Sequence, residues 1–445
     1  MIRASWIVVV ACSTPVDHEL PQPPVLVDTN PDPAIVEVSL VAEPATLELL
    51  PGTTTDVWAF RDAAGTGSIP GPLLEAKLGD RVIVHFENRL PVATTIHWHG
   101  LRVPNAADGT PSAQLAIEPG ARFDYVFDAI DAGLYWYHPH VEADVQIERG
   151  LYAPIRIADT TAIDVAADRV LVLDDVKLDA SGALSETTDR LDMMLGRQGN
   201  VLLVNGRVQP TLVAAGTRER WRIVNVANGR YFHLDLPGHR FTVIGWDGGL
   251  LPGPYEAETL LVAPGERYDV IVELAADTTL RNIYYDRGHD IPDPGPKDLM
   301  IVRAGPATEH AALPPGPAIA PIDTAGAPEV MLTLREIDDG VAMPSFTIND
   351  EAFPDTTPVL GEQDAVAVWN VVNDTEMDHP FHLHGMAFQI EDDRLGWKDT
   401  VNIPQKQTRR LRVRYGGAGR WMFHCHILEH AERGMMSELV VSPRL

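Results

Sequence analysis

The sequence predicts an all-β protein built from three related β-sandwich units, and three features carry that expectation. Short alternating apolar segments separated by Gly, Pro, Asn and Asp dominate, while long helical periodicity is scarce. Val82-Ile83-Val84-His85-Phe86, Trp221-Arg222-Ile223-Val224 and Ala365-Val366-Ala367-Val368-Trp369 are typical. A turn motif, Pro119-Gly120-Ala121-Arg122-Phe123-Asp124, recurs as Pro264-Gly265-Glu266-Arg267-Tyr268-Asp269, each copy leading into an apolar strand. A Gly-x-aromatic-x-aromatic-His-x-His pattern ends the first unit, Gly133 to His140, and returns in the last, Gly419 to His426. Self-similarity of this kind marks repeated structural units. The middle unit keeps only an echo. Its Phe232-His233-Leu234-Asp235 matches Phe381-His382-Leu383-His384 with the second histidine lost, and it ends in Tyr284-Tyr285-Asp286 without His-x-His.

Along the chain, residues 1–34 are expected to be a targeting segment and linker. Val9-Val10-Ala11-Cys12 resembles a bacterial lipoprotein processing box, which places a lipid anchor at Cys12; a plain cleaved signal and an uncleaved tail are the alternatives. Prolines 15, 21, 23, 24, 31 and 33 give the following stretch the composition of a semi-rigid tether. The chain is therefore expected outside the cytoplasm, in the periplasm or as an outer-membrane or cell-surface lipoprotein. The three units are expected at 35–160, 161–310 and 325–445, divided near 158–164 and within the Pro/Ala/Gly-rich stretch 305–328. A net charge of −28, from 35 basic and 63 acidic residues, argues against nucleic acid and anionic membrane as partners. With two cysteines the chain has no disulfide framework.

The chemistry concentrates in histidine. Sixteen histidines in 445 residues should give about 0.6 His-x-His pairs by chance. Four are present: His97/His99, His138/His140, His382/His384 and His424/His426. Side chains alternate along a strand, so each pair shares a face. Near the C-terminus, His424-Cys425-His426-Ile427-Leu428-Glu429-His430 continues to Met435. On a strand Cys425 faces away from its two neighbouring histidines. A thiolate, an imidazole and a thioether at this spacing suit a trigonal copper site with a weak axial Met, while His424 and His426 feed a second metal centre on the other face. The peptide between them is a short covalent route for electrons.

These motifs, with His97-Trp98-His99-Gly100, Tyr135-Trp136-Tyr137-His138-Pro139-His140 and His379-Pro380-Phe381-His382-Leu383-His384-Gly385, resemble the four copper signatures of the multicopper oxidases. The resemblance runs from about residue 40 to the end. It implies three cupredoxin-like Greek-key domains, four copper ions and reduction of O2 to water. The type 1 copper would take His379, Cys425 and His430, with Met435 axial. The type 2 copper would take His97 and His382. Of the type 3 pair, one ion would take His99, His138 and His426, the other His140, His384 and His424. The first and third domains would then each carry half of the three-copper cluster, with the middle domain, free of ligands, as a spacer. A methionine axial ligand implies a moderate type 1 potential.

Water formation needs protons, and Asp108 sits where many relatives carry an acid; as Asp108-Gly109 it also reads as a turn. Bacterial relatives often carry a second acid directly after the last type 1 histidine. Here that position is Ala431, with Glu432 next. Trp397-Lys398-Asp399-Thr400 resembles a family segment near the type 1 copper and reads almost as readily as a solvated turn. Met377, two residues before His379, matches part of a cuprous-oxidase arrangement, whereas Met193-Met194 reads as packing. His18, His85, His233, His239, His289 and His310 read as structural or exposed. The leading expectation is a laccase-like enzyme, a monomer, that uses O2 to oxidise phenols, aromatic amines or low-valent metal ions. A Cu(I) or Fe(II) metallo-oxidase is the alternative. A copper nitrite reductase is disfavoured by the four His-x-His pairs, and a non-catalytic scaffold by the full ligand set.

Overall fold

A computed structural model describes residues 19–185, 188–289, 291–391 and 393–444. Cys12 and His18 lie outside the described residues. The strands pair into six sheets, and the sheets into three sandwiches. In the first, Thr53–Asp62, Ile35–Leu50, Arg81–Asn88 and Arg122–Asp128 form one layer, and Leu74–Lys77, Ala153–Ala158, Gly133–His138 and His97–His99 the other. The middle sandwich packs a six-stranded sheet centred on Arg218–Asn225 against a five-stranded one centred on Thr278–Ile283. The third has Ser345–Ile348, Glu329–Ile337, Val366–Asn373, Thr408–Arg414 and Phe388–Ile390 in one layer. Its other layer is Val359–Glu362, Met436–Ser442, Gly419–Cys425, His379–Leu383 and Thr400–Ile403. In each unit a first strand runs parallel to its partner, as Ile35–Leu50 does with Arg81–Asn88 and Glu329–Ile337 with Val366–Asn373, so the connections cross between sheets.

Period-two patterning explains the layers. In Arg81–Asn88 the buried positions are Val82, Val84, Phe86 and Asn88, and the alternate side chains face outward. Each unit has its own apolar core, and a further cluster, with Trp136, Val172 and Leu428, joins all three. Three short helices, Ala143–Glu148, Arg190–Leu195 and Leu428–Glu432, one from each unit, also meet at this seam.

The repeated turn motif shows how one sequence pattern serves two purposes. In the first unit the Arg122 side chain is 74% exposed and pairs with Glu87 at the surface. Its counterpart Arg267 is 1% exposed and reaches across to the third unit. The middle unit is therefore more than a spacer. Its turn is buried against the ligand-bearing domains.

Candidate metal centre

Cys425 and the histidines around it separate as strand alternation requires. Phe381 pairs with Cys425 and His382 with His424, so Cys425 faces the core of the third unit while His382, His384, His424 and His426 face the first. On the Cys425 side, His379 Nδ1, His430 Nδ1 and Cys425 Sγ form a triangle with edges of 3.2, 3.4 and 3.9 Å. The centre of such a triangle lies about 2 Å from each corner, the bond length of an imidazole to a first-row metal. The far ring nitrogens are fixed by hydrogen bonds, as metal-binding imidazoles require. His379 Nε2 meets Thr375 Oγ1 at 2.9 Å, and His430 Nε2 donates to the Met194 carbonyl at 3.1 Å. His430 also stacks on Phe346, with centroids 3.9 Å apart. Met435 is fully buried in the same core, and its carbonyl accepts from Cys425 N at 3.0 Å.

Burial, with the Arg287 charge adding to it, pushes His379 down to about 3, so its ring is neutral and free to bind metal at neutral pH. Burial pushes the Cys425 thiol up, which a bound cation reverses by stabilising the thiolate.

The other eight histidines converge between the first and third units. His97 stacks on His384 and His99 on His382, each pair 3.8 Å apart. His140, His384 and His424 bring their Nε2 atoms together, with His424 Nε2 at 3.1 Å from His384 and 3.4 Å from His140. His99, His138 and His426 lie at centroid distances of 4.9–5.8 Å. His97 and His382 are 5.8 Å apart. Outward-facing nitrogens are held by protein: His97 Nδ1 donates to the Asp108 carbonyl, His138 Nδ1 to Pro139, His382 Nδ1 to Asp399 and His424 Nδ1 to Cys425. Six buried nitrogens of the cluster have no hydrogen-bond partner among the described residues: His97 Nε2, His99 Nδ1, His138 Nε2, His382 Nε2 and both nitrogens of His426. Unpaired buried nitrogens are costly, and so many aimed into one space fit a set of bound cations.

Several supporting residues were not legible in the sequence. The Lys398-Asp399-Thr400 segment is buried, which corrects the solvated-turn expectation, and it lies at the eight-histidine cluster rather than beside Cys425. Its strand pairs with the ligand strand, Thr400 opposite His382. Thr400 Oγ1 accepts from His99 Nε2 at 3.1 Å, and the Asp399 carboxylate lies 3.3 Å from the same nitrogen. Arg267 from the middle unit grips Asp399 with two bonds of 2.6 Å. Burial opposes the charge on Asp399, but Arg267 outweighs it and holds the group well below the usual carboxylate range. Gly265, at φ +84°, lets the middle unit approach closely: a Cβ there would stand 3.0 Å from the His426 ring and 3.1 Å from His99. Asp108 takes the turn position that the sequence suggested and also touches a cluster imidazole. It closes the 3-10 turn Asn105–Ala107, and its Oδ2 accepts from His384 Nδ1 at 3.1 Å. The unpaired histidines do have mundane partners, such as Thr259 for His233 and Glu336 for His289.

A thiolate–imidazole site joined by one strand to a cluster of eight imidazoles, in three cupredoxin-like sandwiches, defines a copper oxidoreductase. Multicopper oxidase family models match residues 43–162, 174–290 and 327–444. A multicopper oxidase of Mycobacterium tuberculosis is 32% identical, the match covering 84% of this chain and 81% of that one. A laccase of Bacillus subtilis is 25% identical over 87% of this chain and 90% of its own. Among solved structures, a multicopper oxidase from Campylobacter jejuni described as a metallo-oxidase superposes with a TM-score of 0.85 and 28% identity, covering 96% of each chain. This chain belongs to the multicopper oxidase family. It is an oxidoreductase that uses copper ions.

Proposed function

We propose that this protein is a laccase-like oxidase that takes single electrons from phenols or aromatic amines and delivers four of them to O2, forming water. In this proposal His379, Cys425, His430 and Met435 would hold the type 1 copper, and His97 and His382 the type 2. His99, His138 and His426, and His140, His384 and His424, hold the type 3 pair. Copper supplies reversible one-electron chemistry and a place for O2 to be reduced. The chain's own residues do the rest. Cys425 and the peptide on either side of it connect the electron-accepting site to His424 and His426. Thr375 and Met194 fix the rings of His379 and His430, and Asp108, Asp399 and Thr400 fix those of the cluster.

The observation that carries the choice of substrate is a cavity of about 420 Å³ on the middle unit, lined by Tyr231, Tyr284, Tyr285, Arg230, Arg287 and Lys297 among others. Tyr285 Oη donates to Asp378 Oδ2 at 2.5 Å, and Asp378 precedes His379, so the cavity wall is two short steps from the type 1 site. The tyrosines Tyr231 and Tyr285 stack 5.7 Å apart. No carboxylate or thioether occurs among the described lining residues, so the wall favours an aromatic donor and repels a metal cation. Met377 is buried and takes no part in that lining.

A metallo-oxidase for Cu(I) or Fe(II) is the second proposal. It is favoured by the likeness to the Campylobacter jejuni metallo-oxidase and by a 25% identical relative named copper resistance protein A from Pseudomonas syringae. O2 uptake by copper-loaded protein separates the two. Fast turnover of 2,6-dimethoxyphenol without added Cu(II) supports the laccase proposal, whereas uptake confined to Cu(I) supports the other. We further propose that the protein is exported and tethered through Cys12, and that it acts as a monomer, since one chain carries both halves of the cluster. Labelling with a radioactive fatty acid that disappears in Cys12→Ser would support the tether.

A further inference from the structure

Four electrons reduce O2 to two waters only with four protons, so the buried cluster needs a proton supply; this inference rests on the oxidase proposal. At Ala431 the chain offers none, because Ala431 is buried against Met422 and Met436. The opposite flank of the cluster differs. Within the loop 108–114, three buried oxygens have no hydrogen-bond partner among the described residues: Asp108 Oδ1, Thr110 Oγ1 and Gln114 Oε1. The nearest candidate for Asp108 Oδ1 is His97 Nδ1 at 3.5 Å, but that nitrogen donates to the Asp108 carbonyl at 2.8 Å. Gln114 gives its Nε2 to Tyr125 Oη at 3.2 Å. Tyr125 Oη also accepts from Ile96 N at 2.8 Å, which leaves the phenolic proton to be donated.

A buried oxygen without a partner costs about 1–3 kcal/mol. Three of them in one loop, beside a hydroxyl donor, make the polar lining that ordered water satisfies. Two residues beyond Thr110, Ser112 Oγ donates to Glu438 Oε1, a contact between the first and third units. Glu438 stands opposite Met422 on the strand pair that carries His424 opposite Met436. It therefore lies on the cluster face of that sheet, one side-chain layer from His424. Its other partner, Arg420, is 49% exposed and marks the solvent rim.

We propose that Glu438 takes up protons from solvent for this enzyme. They pass through Ser112 and water held by Thr110, Gln114 and Tyr125 to the edge of the cluster at Asp108 Oδ1. Each proton bound by the Glu438 carboxylate moves to Ser112 Oγ as the serine releases its own proton inward, so no net charge remains on the path. Per O2, four protons travel this way, four electrons arrive separately through Cys425 from four one-electron oxidations of substrate, and two waters leave.

The test uses the full copper-loaded chain and the variants Glu438→Gln, Ser112→Ala and Thr110→Val. Copper content and the type 1 absorbance check that each variant is assembled. Anaerobic reduction by substrate and reoxidation by an O2 pulse are then timed separately in H2O and D2O, alongside a high-resolution crystal structure of the loop. The proposal expects unchanged reduction and reoxidation slowed about tenfold or more. It also expects an enlarged solvent isotope effect, and water bridging Asp108, Thr110 and Gln114 that is lost in Thr110→Val. Reoxidation within about twofold of the parent in assembled variants, or a loop without water, overturns it. A parent protein that O2 does not reoxidise sinks the oxidase proposal itself, and the relay with it. A parent that reoxidises while the variants keep pace sinks the relay alone.

Discussion

In the proposed enzyme Cys425 would serve both metal sites, its sulfur one and its peptide neighbours the other. Replacing it by serine removes the thiolate and leaves the eight-histidine cluster intact. Cys425→Ser should lose the absorbance at about 600 nm of a Cu–thiolate bond while retaining most of its copper, as metal analysis would show. Gly265 tests the opposite side. A valine there would press on the rings of His426 and His99 and force a bulky residue into φ +84°. Gly265→Val should keep the 600 nm band, bind less copper and reduce O2 poorly. The converging imidazoles were legible in the sequence because such pairs are rare by chance. Gly265, Arg267 and Thr400 were not, because their roles arise from contacts between units distant in the chain. Arg267 occupies the same place in the repeated motif as Arg122, and only the fold distinguishes a buried clamp from a surface arginine.

At the scale of strands, register does the sorting. His382 opposite His424 and Phe381 opposite Cys425 put imidazoles on one face and the thiol on the other. Period-two alternation alone makes that division legible in the sequence. The pairing of Thr400 with His382 is not legible there, because nothing local says which strand lies beside which. That pairing brings Asp399 to the cluster, and Arg267 then neutralises it inside the protein. Removing one partner of such a buried pair costs about 3–5 kcal/mol, because the remaining charge is stranded. Arg267→Ala should lower the thermal midpoint markedly. Without that charge burial drives the Asp399 carboxyl up, so the stability gap between parent and variant should be full at neutral pH and shrink as acid protonates the group. Denaturation curves across acid pH check both the size and the sign.

For the whole molecule, three sandwiches enclose one seam, and the eight histidines span it. Copper bound there, as proposed, would tie the first unit to the third, and ligands that bind only the folded state stabilise it. Copper removal should therefore lower the melting temperature and loosen the seam. Hydrogen exchange should rise in His97–His99 and Gly419–Cys425 while the core of the middle unit stays protected. The number of units was legible from the repeats, and so was the loss of ligands in the middle one. Its contribution to the cluster was not, since a motif repeated in sequence gives no warning that one copy is buried. In the proposed enzyme the two sites act together to carry four electrons to one O2. The most direct measurement is the ratio of phenol oxidised to O2 consumed, with hydrogen peroxide assayed in the same vessel. Four one-electron oxidations per O2 and no peroxide are expected; two per O2 with peroxide accumulating would show that the sites do not act together.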